Sequence, residues 1–223
     1  SLNSRNKRKN IVIYKTSPTE EKFHQLFDVY SFQTVFYVSG YADGGKGMFG
    51  ENQQLEQVMR ECRNSRTDKL VVISTTDSSN YIVEQGRAGE GVKKDYYGNR
   101  AFGAGQMEDA CMYYAERLRI KTVLLKLPYI ADRINDCNFL GEVFRALYNK
   151  DKVLFPYHRE DPVDFLSMSD VAELMTQLTE ETEDESGNYC VVSGYRYTYG
   201  DLEDMLKLAV PDARIGYENY PYM

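Results

Sequence analysis

Short, nearly continuous apolar runs alternate with amphipathic stretches along this chain, and that alternation restricts its fold more than any other feature. Residues 34–39 (TVFYVS), 69–74 (KLVVIS) and 121–127 (KTVLLKL) are strand-length runs rich in Val, Ile and Leu, and residues 10–14 (NIVIY) form a shorter β-branched run ahead of them. Helical spacing fills the intervals. Residues 16–21 (TSPTEE) offer caps, an early proline and first-turn acids, and Phe23, Leu26 and Phe27 follow. Leu55, Val58, Met59 and Cys62 share one helix face; Met107, Ala110, Cys111, Tyr114 and Leu118 share another. Strands apolar on both faces, separated by helices, need cover on both sides, so the expected class is α/β with a mostly parallel sheet.

The second half is shorter in period. Helices are expected over 138–149, 169–178 (opened by Ser169 and Asp170) and 199–209, with strands near 164–166 and 189–193 and an acidic turn over 180–187. Residues 1–135 are therefore read as the main α/β domain. Residues 136–223 are read as a smaller lobe whose strand and helix near 164–193 pack back on the main domain. In parallel sheets ligands bind beyond the carboxyl ends of the strands, which would gather loops 40–50, 75–103 and 128–137 on one rim.

Composition removes several functions. A net charge of −7 argues against a nucleic-acid surface, since the basic cluster at residues 5–9 sits in a polar tail. No apolar run reaches the about 20 residues of a membrane span. Cys62, Cys111, Cys137 and Cys190 are scattered without C-x-x-C pairing, which fits reduced thiols in the cytoplasm. With only His24 and His158 available, no zinc pattern forms and no metal is expected. Neither histidine stands beside a G-x-S-x-G elbow.

Gly45, Gly47 and Gly50 spell G-x-G-x-x-G between a strand and a helix, and Gly40, Gly45 and Lys46 spell most of a P-loop. Both fits are incomplete. A dinucleotide fingerprint starts at the strand end, whereas residues 40–44 intervene here; the P-loop needs Ser or Thr where Gly47 stands. The stretch reads first as a glycine-rich rim loop, with the two phosphate-binding readings behind it.

The order of these segments resembles the extended short-chain dehydrogenases/reductases, the NAD-dependent sugar-nucleotide epimerases and dehydratases. VFYVSG at 35–40 resembles their mid-sheet strand, and KLVVISTT at 69–76 the strand ending in a substrate-binding Ser or Thr. In residues 100–128, Glu108, Tyr114, Ala115, Arg117, Lys126, Leu127 and Pro128 fall at positions of the family's catalytic helix and following strand. VDFLSMSDVA at 163–172 resembles its D-F-x-x-V-x-D-V-A segment. The resemblance implies a Rossmann-like, doubly wound sheet with helices on both faces and a small C-terminal substrate lobe. By position it makes Ser39, Gly40, Ser74, Thr75, Lys126, Pro128 and Tyr129 cofactor-binding candidates, and Thr76, Arg133, Arg145 and His158 substrate-binding candidates. It also implies a homodimer through helices 51–62 and 104–118.

The departures weigh against catalysis. The family's proton transfer uses Tyr-x-x-x-Lys; in register, Arg100 replaces the tyrosine and Ala104 the lysine. Thr76, Tyr96 and Arg100 are the remaining weak catalytic candidates. The family's first strands, with the cofactor glycines, should precede Val35, where the chain has one short run and no glycine. The chain reads as N-terminally truncated, so NAD or NADP would bind only if a full-length protein supplies those strands. The expected function is a non-catalytic epimerase-like module that binds a nucleotide, a sugar nucleotide or a partner, including other domains of a larger parent. The alternative is an active NAD(P)-dependent epimerase, dehydratase or reductase with displaced groups.

Overall fold

The computed structural model describes residues 12–38, 48–76, 98–131, 139–155, 158–180 and 186–217, with residues 48–51 and 98–103 described as backbone alone. Its helices are α1 (Glu21–Val29), α2 (Met48–Ser65), α3 (Gly98–Leu118), α4 (Phe139–Tyr148), α5 (Met168–Glu180) and α6 (Tyr199–Ala209). Its strands are β1 (Thr34–Val38), β2 (Lys69–Thr75), β3 (Thr122–Leu127), β4 (Tyr129–Ile130), β5 (Val153–Phe155), β6 (Pro162–Val163), β7 (Phe165–Leu166), β8 (Gly187–Cys190), β9 (Tyr197–Thr198) and β10 (Ile215–Tyr217).

The main sheet is parallel, in the order β1-β2-β3-β8. Alternation along a strand divides its side chains between two cores. Leu70, Val72 and Leu124 meet Leu55, Met59, Met107 and Cys111 of α2 and α3 on one face. Val71, Ile73, Val123 and Leu125 meet Val171 and Leu178 of α5 on the other. Every residue of β3 is buried, which is why its sequence reads as unbroken hydrophobicity apart from Thr122 and Lys126. Phe23 and Phe27 seal α1 onto the α2–α3 face, and His24 Nδ1 lies 2.9 Å from Glu61 Oε1.

The strand expected over 10–14 is not seen in its described part. Residues 12–14 carry no strand structure, and Val12 and Ile13 are exposed. β-Branched composition favours a strand only where a neighbour supplies a ladder, and β1 is the last described strand at that side of the sheet. Cys62 and Cys111 are free and buried, and burial pushes both thiols up to about 12, so neither is a ready nucleophile. Cys137 lies outside the described residues. Among the described residues no helix is long and apolar enough to cross a membrane, and no cluster of His, Cys, Asp or Glu could hold a metal ion.

The second core is aromatic. Phe155 and Tyr199 pack with Val143, Leu147, Val153, Val163, Leu202 and Leu206, and β5 pairs with β10 along one side. α6 opens with a capping box in which Thr198 and Asp201 satisfy each other's backbone N–H. Just inside it, Gly200 lets the chain pass close to Arg159: a Cβ there would lie 2.8 Å from Arg159 Cγ and 3.1 Å from the Arg159 carbonyl oxygen. Gly200→Ala should therefore cost about 1–3 kcal/mol by crowding, measured by urea denaturation, although Ala is the better helix former. A stabilised Gly200→Ala protein would contradict that close approach.

Arg159 also anchors the buried Glu203. The Arg159 guanidinium, Lys207 Nζ (2.5 Å) and the Tyr217 hydroxyl (2.5 Å) all converge on that carboxylate. Burial pushes the Glu203 carboxyl up, and Lys207, Tyr217 and Arg159 together outweigh it, so the group sits below its ordinary value of 4.5. A pKa lowered by folding contributes stability that is whole above the unfolded value and fades as pH falls through the folded one. The wild type should lose stability below about pH 4.5, and Glu203→Gln should be less stable at neutral pH with a flatter acid limb. Equal acid slopes for the two proteins would remove Glu203 as a source of that dependence.

Candidate functional site

Because the four main strands are parallel, their carboxyl ends at Val38, Thr75, Leu127 and Cys190 face one rim. β4 follows directly on β3 there and pairs with β7, while β6 pairs with β9, so the small ladders of the second core sit against that rim.

Ser74 and Lys126 are register neighbours on β2 and β3, and both continue the side-chain rows that face α3. The structure brings them together through Glu108 of α3. The Ser74 hydroxyl donates to Glu108 Oε1 at 2.7 Å, and Lys126 Nζ stands 2.7 Å from Glu108 Oε2. The second contact lies off the line of a good hydrogen bond and is Coulombic in character. Glu108 and Lys126 side chains are 1% and 5% exposed. A charge pair so far from water is held by mutual attraction set against the cost of drying both ions. Ser74 and Lys126, both cofactor-binding candidates, fasten α3 to the sheet through Glu108.

One helical turn before Glu108 lies Ala104, at the position where the resemblance puts a lysine. It is fully buried and carries no ionisable group. Arg100 lies on α3, but its side chain is outside the described residues, as are Ser39, Gly40, Tyr96 and Arg133 entirely. Thr75 and Thr76 are half-buried at the end of β2, and Pro128 is buried at the end of β3. Tyr129 turns into the second core: its ring stacks on Phe139 at 4.5 Å, and the Tyr199 hydroxyl lies 3.4 Å from its own. Arg145 is exposed on α4, and His158 is half-buried with its backbone N–H donating to Asp161 Oδ2 at 2.7 Å. α2 and α3, the pair expected to form a dimer face, pack on each other. The Tyr114 hydroxyl donates to Glu56 Oε2 at 2.8 Å, and α1 lies across α2.

Sequence reasoning missed the residue that organises the rim beside β8. Asp164, between β6 and β7, accepts from the backbone N–H of Phe165 and of Ser193, each at 2.9 Å, and from the Ser193 hydroxyl. It ties the loop after β8 to the ladder beside β3. Its place in the V-D-F segment was visible, but its partner 29 residues away was not. Among the described residues the strand order, β1-β2-β3-β8, runs one way, and dinucleotide cofactors of parallel sheets bind where the order reverses.

No family model and no curated protein matches the chain. Solved structures do. A UDP-N-acetylglucosamine 4-epimerase from Methanobrevibacter ruminantium superposes on 96% of this chain and 72% of its own, with 15% identity and a TM-score of 0.72. UDP-glucose 4-epimerase from Thermus thermophilus, solved with NAD, covers 96% of this chain and 75% of its own at 17% identity, TM-score 0.68. A GalE-like L-threonine dehydrogenase from Cupriavidus necator covers 88% and 68% at 14% identity, TM-score 0.65. The fold is that of the extended short-chain dehydrogenases/reductases, and the L-threonine dehydrogenase carries it beside enzymes of UDP-sugars.

Proposed function

We propose that this chain, which carries the extended short-chain dehydrogenase/reductase fold, is a cytoplasmic epimerase-like module that binds a sugar nucleotide without transforming it. One observation carries the reading: at the position where the resemblance puts the catalytic lysine, the α3 face toward the sheet holds Ala104, fully buried and without an ionisable group. Epimerase and reductase chemistry needs a group that exchanges a proton beside the hydride path, within hydrogen-bond reach of the substrate. Ala104 has no group that could take that part. The half-buried Thr75 and Thr76 remain suited to hydrogen-bonding a polar ligand at the rim.

Calorimetric titration tests the binding half. UDP-glucose or UDP-N-acetylglucosamine should bind, and at 100 times its Kd should raise unfolding stability by about 2.7 kcal/mol. NAD and NADP alone should give no comparable gain. Tight dinucleotide binding would favour an active oxidoreductase, and the absence of binding by any UDP-sugar would remove the sugar-nucleotide reading.

A further inference from the structure

Beyond Asp164, the loop after β8 carries a feature that the proposed activity leaves unused. Tyr195 and Tyr197 are 69% and 39% exposed, and their rings lie near parallel, 28° apart with centroids 6.0 Å apart. Alternation puts residues two apart on the same side of an extended segment, so the two rings form one surface. Neither hydroxyl has a partner among the described residues. The Tyr14 hydroxyl, by contrast, is bonded to that of Tyr30, and the Tyr113 hydroxyl accepts from Arg117.

The loop that presents them is fixed at both ends. Upstream, Asp164 holds Ser193 by its backbone N–H and hydroxyl, the Ser193 hydroxyl oxygen accepts the Tyr195 N–H at 3.2 Å, and Gly194 makes the turn with φ +84°. Downstream, Tyr197 pairs with Val163 across β9 and β6, and Thr198 caps α6. Aromatic rings held open to water on a braced loop lose little conformational entropy when a flat ligand settles on them. Their location follows from topology: the loop leaves the carboxyl end of β8 and is bonded to the segment that pairs with β4 beyond β3. This is the side of a parallel sheet where ligands bind.

We infer that Tyr195 and Tyr197 form a stacking platform for the nucleobase of a nucleoside diphosphate ligand. The inference rests on the sugar-nucleotide reading above and names the part of the ligand that this loop recognises. A planar base fits paired phenol faces, and the free hydroxyls can bond its ring carbonyls. Asp164 acts as a positioning residue by holding the loop in place.

Calorimetry on the full chain decides it, with UDP-glucose, UDP and glucose 1-phosphate as probes. Wild type should bind UDP-glucose and UDP, and bind glucose 1-phosphate far more weakly. Tyr195→Ala and Tyr197→Ala should each weaken UDP binding about tenfold while leaving the melting temperature in place, because both side chains are exposed. Wild-type affinity in both variants would overturn the platform and leave the sugar-nucleotide reading standing. Equal affinity of wild type for glucose 1-phosphate and UDP-glucose would also overturn it. No binding of any probe by wild type would overturn both.

Discussion

Glu108→Ala should lose about 3–5 kcal/mol of unfolding free energy, because it strands the Lys126 ammonium inside the sheet–helix core with its countercharge gone. The Ser74 hydroxyl loses its acceptor in the same step. For a chain of this size the loss corresponds to a fall of about 6–20 °C in melting temperature. Lys126→Ala should behave alike, leaving the Glu108 carboxylate buried without its countercharge. Replacing both charges with apolar groups, Glu108→Leu with Lys126→Met, should restore most of the stability, because the pair's attraction is set against the cost of drying two ions. Urea denaturation of the two single variants and the double variant measures the coupling. A loss under about 1 kcal/mol in Glu108→Ala would mean that water reaches the site. Ser74, Glu108 and Lys126 would then lie open to a ligand.

Phe155→Ala should cost a similar amount, about 3–5 kcal/mol, for a different reason. Its ring is fully buried, with centroids 5.2 Å from Tyr199, 5.8 Å from Tyr217 and 6.0 Å from Phe139. Truncation removes the transfer energy of a phenyl group and opens a cavity that three aromatic neighbours cannot easily collapse into. Tyr148→Ala, at a position 89% exposed, is the control and should stay within about 0.5 kcal/mol of wild type. If Phe155→Ala matched that control, the second core would not be packed as described.

Much of the architecture could be read from residues whose neighbours are near in sequence or whose burial is complete. β2 and β3 are buried along nearly their whole length, so their composition announces them. α6 spans Tyr199–Ala209, the bounds its spacing predicts, because its capping box is local. Residues 10–14 misled for the converse reason: strand composition does not reveal whether a pairing edge exists, and residues 12–14 have no ladder. The two-residue strands β4, β6, β7 and β9 are too short to leave a periodic signature, and their pairings join distant segments.

The site divides along the same line. Glu108 and Lys126 were aligned by resemblance, yet nothing in their spacing says that they meet. Their contact depends on α3 lying across the β2–β3 register, which is a tertiary fact. Asp164 and Ser193 meet only through the second core's ladders. Tyr129, a cofactor candidate by position, stacks on Phe139, a contact that follows from the short strand after Pro128 and that no local spacing announces.

The central claim is that a sugar nucleotide is held and left unchanged. The direct measurement is proton NMR of UDP-glucose, and separately UDP-galactose, incubated with the full chain and NAD over hours at near-stoichiometric protein. The account predicts ligand line broadening that reports binding, with no interconversion of the two sugars, no keto product and no NADH. Appearance of the other epimer, or of NADH in step with substrate loss, would contradict it.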